Sequence, residues 1–189
     1  MTTTRRMFSR SAGNLVAAAA LVLAIIASAA IASADASSRD VAALAKSSLI
    51  YIATVRKDGN QSTAVPVWFI TTSGNRVLIE TSPTSWKAKR IKRGSPALIW
   101  IGERSGPAFI GKPEIVQDTK VQDEVLEQYP KKYMLARIGI SRPTRAKLDA
   151  GQIVVIRISP VRDLPDAYQS QPGTPAPALD DKAKPALAH

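Results

Sequence analysis

LIYIATVRKDGNQSTAVPVWFI, residues 49–70, is the stretch that decides the fold. Leu49 to Arg56 is rich in β-branched and aromatic residues, Asp58-Gly59 is a hairpin turn signal, and a return strand is expected from about Gln61 to Ile70. Pro66 interrupts that return strand. It has no N–H for a ladder bond, so it has to lie at a sheet edge or where no donor is needed, and there a ligand's polar edge can approach the backbone.

Working outward from this hairpin, the pattern continues as strands. Ser73-Gly74-Asn75 turns the chain into a third strand over Arg76 to Thr81, and after a short basic helix Ala97 to Glu103 reads as a fourth. Ser105-Gly106-Pro107 turns into a fifth, Ala108 to Gln117, which Pro113 interrupts. Thr119 with Gln122 forms a capping box for a helix with Val121, Val125 and Tyr129 at four-residue spacing, which Pro130 is expected to break. Further helical pieces run from Lys131 to Gly139 and from Pro143 to Ala150, and Ile153 to Ser159 closes the set as a sixth strand. On the N-terminal side, Ser37 to Lys46 has the spacing of a short helix. The expected class is mainly β with short helices, an α+β chain built on a six-stranded antiparallel barrel, closed or partly split.

Composition narrows the chemistry. The chain has 189 residues, no cysteine, and a single histidine, His189, at its last position. Disulfides, thiolate chemistry and iron–sulfur ligation are excluded, and neither a histidine base nor a metal site is expected. The net charge is +11. Residues 1–34 read as an export signal: Thr4-Arg5-Arg6-Met7-Phe8 resembles a twin-arginine motif, an alanine-rich apolar run follows, and Ala32-Ser33-Ala34 offers a small-x-small cleavage site. An uncleaved anchor is the alternative. Cleavage takes 26 basic residues to 23 against 15 acidic ones, a charge of +8 that still favours anionic partners. The protein is therefore expected outside the cytoplasm, in the periplasm or an equivalent compartment. The main domain is expected over residues 35–168, and the proline- and alanine-rich residues 169–189 are expected to be a disordered tail.

Between the third and fourth strands lies TSPTSWKAKRIKR, Thr81 to Arg93. Ser82 is placed to cap a helix with Pro83 at its first position, so that hydroxyls, free N–H groups and Lys87 converge on an anion, phosphate being the commonest. On its own such a run is more often a solvated basic face. Ala88 and Ile91 share one face of the helix and Trp86 points roughly opposite. Trp86 then covers a bound ligand, covers a partner chain, or packs on the protein alone.

Taken together, Tyr51-Ile52-Ala53-Thr54-Val55, Asp58-Gly59, Val65-Pro66-Val67-Trp68-Phe69, Thr81 to Ile91 and Gly111 to Asp118 resemble the pyridoxamine 5'-phosphate oxidase-like family of flavin-binding split barrels, over about residues 38–162. The resemblance implies an FMN-binding split barrel, a homodimer, and FMN or a deazaflavin held across the subunit interface. It implies a phosphate-binding segment of Thr81, Ser82, Ser85, Trp86, Lys87 and Lys89, and a strand, Val65, Pro66, Val67 and Trp68, along the flavin ring. Trp86 stands where the oxidases carry arginine. Gln61 to Ile70 lacks their basic pair, and Gly106 or Pro107 replaces a glutamine. The Val-Pro-Val-Trp version is closer to deazaflavin and general flavin reductases, so vitamin B6 oxidation is not assigned.

The function expected from this resemblance is a flavin-dependent oxidoreductase acting on a small molecule, with no catalytic residue assigned. A flavin- or haem-binding carrier of the same fold is the alternative. Glu80 and Glu103 read as solvent-facing rather than as acids or bases in a pocket. Nucleic acid is not an expected client, and membrane contact is expected only through an uncleaved signal.

Overall fold

The computed structural model describes residues 41–72, 75–165 and 168–179. The chain divides into two units, Met1–Ser38 and Arg39–His189, and the described residues belong to the second. The export signal and the first residues of the helix expected at 37–46 lie outside the described residues, while residues 41–46 are helical (α1).

Seven strands form one antiparallel sheet: β1 (Ile50–Thr54), β2 (Val65–Val67), β3 (Ile70–Thr72), β4 (Arg76–Thr81), β5 (Ala97–Ile101), β6 (Ala108–Val116) and β7 (Val154–Asp163). Their order is β2-β1-β5-β6-β7-β4-β3. The helices are α2 (Trp86–Lys92), α3 (Thr119–Lys132), α4 (Met134–Arg137) and α5 (Arg145–Asp149). The fold is thus mainly antiparallel sheet with short helices, as expected, with one strand more.

The extra strand comes from the return strand of the hairpin, which is divided. Val65–Val67 pairs with β1 at one edge of the sheet, and Ile70–Thr72 pairs with β4 at the other. Two residues, Trp68 and Phe69, join the two edges, so the sheet curls into a partly split barrel whose seam is a bend in one chain segment. Pro66 lies on the edge strand β2, opposite Tyr51, where its missing donor is tolerated.

At the seam the backbone leaves both ladders, and two tyrosines of α3 and its C-cap take over. The Tyr133 hydroxyl accepts from Phe69 N at 2.7 Å and donates to Phe69 O at 2.6 Å. The Tyr129 hydroxyl accepts from Glu80 N at 3.2 Å and donates to Trp68 O at 3.0 Å. Trp68 also stacks on Tyr133, with centroids 4.6 Å apart. Burial raises the hydroxyl pKa of both tyrosines, which keeps them protonated and able to donate.

Side chains alternate across the sheet as period two requires. Ile50, Ile52, Ile79, Ile99, Phe109 and Ile156 fill one cluster with Phe69. A second cluster packs Ile70, Leu78 and Val155 against Val125, Tyr129, Tyr133 and Ala136, next to Trp68. A third joins Leu98 and Trp100 to Leu164 and Tyr168. Strand β5 contributes to the first and third clusters, and all five of its residues are buried.

Three local expectations are corrected. The cap of α3 is Asp118, which accepts from Lys120 N, while the Gln122 side chain donates to Val116 O. Pro130 does not break α3, which runs on to Lys132: near the C-terminal end a missing donor costs a single bond. The tail is not free over the residues described beyond 168. Gln61 is fully buried, its N–H donates to Thr174 O at 2.8 Å and its carbonyl accepts from Gly173 N at 3.0 Å. Its side chain donates to the Tyr168 hydroxyl at 2.9 Å and to Pro175 O at 3.1 Å. The Trp100 indole donates to Tyr168 O at 2.6 Å. A stretch with no apolar period docks here through its backbone carbonyls, which a hydrophobicity pattern does not register.

Candidate functional site

The basic segment after β4 begins with a tight turn, Ser85 N to Ser82 O at 3.1 Å, followed by α2. The N-cap is Ser85, not Ser82: its hydroxyl accepts from Ala88 N at 3.2 Å. Ser82 is exposed and shares a 2.8 Å hydrogen bond with Thr84. Thr81 donates to the Ser85 hydroxyl at 3.2 Å, and Lys87 Nζ donates to Thr81 Oγ1 at 3.0 Å. Lys87, Thr81 and Ser85 therefore form one chain. It leaves the Ser85 hydroxyl proton and the remaining ammonium protons of Lys87 for a ligand. The helix spans only seven residues and its first-turn donor is capped, so the site rests on side chains rather than on a helix terminus.

Two clefts meet at Lys87. One, of about 580 Å³, is lined by Leu49, Pro66, Val67, Trp68, Tyr129 and Ile153, with Glu80, Thr81, Ser82, Lys87 and Ser141 at its polar side. The other, of about 320 Å³, is lined by Arg56, Lys87 and Arg90, by the hydroxyls of Thr54, Ser62, Thr63 and Ser85, and by Ile52, Val65 and Trp86. The four residues Val65 to Trp68 are thus shared out: Val65 lines the cationic cleft and the other three the apolar one. Lys89 lines neither. It stands 5.2 Å from the Trp86 ring, which Arg90 also approaches, and Trp86 itself is 70% exposed. Within this chain, then, Trp86 does not pack into the protein core, whereas Ala88 and Ile91 do.

Arg56, Arg90, Thr54 and the Ser62-Thr63 pair are not among the residues that the sequence assigns to the site. Arg90 lies three residues after Lys87, one helical turn on, and donates to Thr54 Oγ1 at 3.2 Å. That spacing was a legible signal. Arg56 reaches the same cleft from the far side of the hairpin, which only the fold brings close.

The electrostatics of the junction are set by burial. Desolvation lowers the Lys87 pKa and raises that of Glu80, with Lys147 and Lys87 opposing the Glu80 shift. Glu80 is half-buried, a correction to its reading as solvent-facing. Desolvation, followed by repulsion from Arg56 and Arg93, lowers the Arg90 pKa. Cations are therefore concentrated in the smaller cleft without a carboxylate in its lining.

The raised Glu80 pKa means that the folded state favours the protonated carboxyl. Its stabilising contribution is complete below the ordinary carboxylate range and is lost as pH rises through the elevated folded value. Glu80→Gln is expected to raise the thermal midpoint at neutral pH and to flatten this part of the stability–pH profile. Differential scanning calorimetry from pH 4 to pH 8 checks it.

A third cleft, of about 530 Å³, lies among Leu44, Ile70, Thr71, Glu127, Gln128 and Lys132. Lys132 Nζ sits 3.4 Å from the Phe69 ring centroid, and burial lowers its pKa to about 8. None of the hydroxyls predicted to bind phosphate lines this cleft.

The family described as Pyridoxamine 5'-phosphate oxidase matches residues 38–164. No curated protein matches the chain at a significant level. Among solved structures, a candidate pyridoxamine 5'-phosphate oxidase from Listeria innocua superposes with a TM-score of 0.51 at 15% identity, covering 68% of this chain and 95% of that one. A candidate 5-nitroimidazole antibiotic resistance protein from Bacteroides thetaiotaomicron gives a TM-score of 0.52 at 12% identity, covering 67% and 80%. At these identities the likeness is one of fold.

Proposed function

The chain belongs to the pyridoxamine 5'-phosphate oxidase family, and from that membership we propose that it is a homodimeric flavin-binding oxidoreductase acting on a small molecule and, from the signal-like sequence of residues 1–34, that it is exported. The family commonly binds flavin and forms dimers. What carries the reading is one observation: Lys87, tied to Thr81 and next to the Ser85 cap, stands where an apolar cleft opens into a cationic one. A phosphorylated flavin has that division in itself, a planar apolar ring system at one end and a dianion at the other. The residues fit such a ligand.

In this reading Lys87 and Ser85 hold the phosphate by charge-assisted hydrogen bonds, with Thr81 fixing both and Arg90 and Arg56 adding positive field. Pro66, Val67, Trp68, Leu49 and Ile153 exclude water from the ring. The tyrosine pair at the seam holds the strand in position. Ser82, by its exposure, stands at the rim, and Trp86 with Lys89 is available to cover the ligand or the second subunit. FMN, when bound, supplies the redox chemistry, and a deazaflavin is the alternative cofactor.

A carrier without turnover is the second reading, and one observation favours it. Of the titratable groups lining the apolar cleft, Tyr129 is committed to Trp68 O and Glu80 N and Lys87 is placed at the phosphate end, which leaves the half-buried Glu80 carboxyl as the single candidate acid or base there. Equilibrium dialysis of purified protein against FMN, riboflavin and a deazaflavin tests the shared premise. Binding of a phosphorylated flavin at micromolar concentration is expected, and no binding at tens of micromolar overturns both readings for flavin. Stopped-flow reduction of the loaded protein by NADPH, NADH or reduced deazaflavin then separates an oxidoreductase from a carrier.

A further inference from the structure

Four large apolar side chains stand in solvent within seven residues. Met134 is 73% exposed, Leu135 44%, Ile138 66% and Ile140 53%. They are not on a loose loop. Tyr133 and Ala136 are buried in the cluster under α3, and the turn after α4 is closed by Gly139 N to Ala136 O at 3.1 Å and Ile140 N to Leu135 O at 2.9 Å. Gly139 takes φ 92°, the left-handed cap this turn requires. The apolar side chains are therefore held outward by a pinned backbone, and none of the four lines any of the three clefts described above.

Along the chain, the charge next to them has one sign. Between Glu127 and Asp149 the sequence has no acidic residue and six basic ones. Lys131 is paired with Glu127, and Arg145 with Asp123 and Asp149. Arg137 and Arg142 are exposed, and among the described residues neither has a carboxylate within ion-pair distance. Apolar residues held outward beside two arginines are the makings of an interfacial membrane contact: apolar tips enter the acyl boundary while guanidinium groups meet anionic headgroups.

We propose that the surface formed by Met134, Leu135, Ile138 and Ile140, rimmed by Arg137 and Arg142, docks on an anionic lipid membrane. Charge complementarity selects this occupant over a second copy of the chain. Facing itself, the patch would bring two arginines from each copy to one rim, and like charges juxtaposed across an interface oppose association. An anionic bilayer neutralises them instead. Ser141, next to Ile140, lines the apolar cleft, so docking brings the rim of that cleft to the lipid surface.

The absence of cysteine permits a local test in the full chain. An environment-sensitive fluorophore (NBD) on Ile138→Cys is expected to brighten and shift to the blue with vesicles of phosphatidylglycerol and phosphatidylcholine, and far less with phosphatidylcholine alone. The same label on Lys112→Cys, exposed on β6, is expected to stay unchanged. In unlabelled protein, Met134→Ser with Ile138→Ser is expected to reduce sedimentation with the anionic vesicles at least about tenfold. Replacing Arg137 and Arg142 by Ala is expected to weaken it by about fivefold each at low salt. No response at position 138 overturns the proposal. So does an equal response at 138 and 112, which assigns adsorption to another part of the chain. Unchanged sedimentation of the serine pair overturns it as well, as does a lower oligomeric state of that pair without any loss of vesicle binding.

Discussion

Lys87→Met is expected to lower affinity for FMN by one to two decades while leaving affinity for riboflavin nearly unchanged. The substitution keeps most of the aliphatic stem and removes only the ammonium, so packing of the half-buried side chain is largely preserved. What is lost is a charge-assisted contact to phosphate, about 1.5–3 kcal/mol, against about 1.4 kcal/mol per decade of affinity. Thr81 loses one donor, but its own bond to Ser85 survives, and so does the cap of α2. Isothermal titration calorimetry with the two ligands reads the difference directly. Equal losses for FMN and riboflavin would make Lys87 a structural support of the turn, and the phosphate contact would then fall to Arg56 and Arg90 in the same cationic cleft.

The parts of this site that the sequence disclosed were those carried by local order. Thr81, Ser85 and Lys87 lie within seven residues, and Ala88 and Ile91 mark the buried face of their helix. A sheet edge was one of the two placements that the missing N–H of Pro66 left open, and β4 has the expected bounds, Arg76 to Thr81. What was not legible depends on contacts between distant segments. Residues 61–70 look like one strand because nothing in them signals a change of partner. The residues that satisfy the bend, Tyr129 and Tyr133, lie some sixty positions downstream and look like core residues of an amphipathic helix. Gln61 reads as an ordinary polar strand residue, yet it is fully buried because the segment around Thr174 supplies partners for its backbone and side chain. Ser82 was preferred as cap because proline favours the first helical position. The turn from Ser82 to Ser85 instead uses that proline before the helix begins, and the cap passes to the next serine along.

The other large effect is expected at the seam. Tyr133→Phe removes a hydroxyl that serves both the N–H and the carbonyl of Phe69, a residue with no exposed surface, so water does not readily replace it. Leaving two buried backbone groups unpaired costs about 1–3 kcal/mol each, so a loss of about 2–6 kcal/mol is expected in urea unfolding, seen as a lower midpoint at unchanged slope. Tyr51→Phe, a partly exposed tyrosine on β1, is the control and should cost little. The two proteins should also differ at high pH. The Tyr133 hydroxyl is raised from 10.0 to about 12 by burial, so the folded state holds a proton that the unfolded chain releases between those values. Wild-type stability therefore falls as pH rises through that window, and Tyr133→Phe should lack this contribution. Because the bend also positions Trp68 over the apolar cleft, any loss of ligand affinity in this variant should be the same for FMN and riboflavin. That pattern is the opposite of the one expected for Lys87→Met, so the pair of variants separates the support of the ring from the grip on the phosphate.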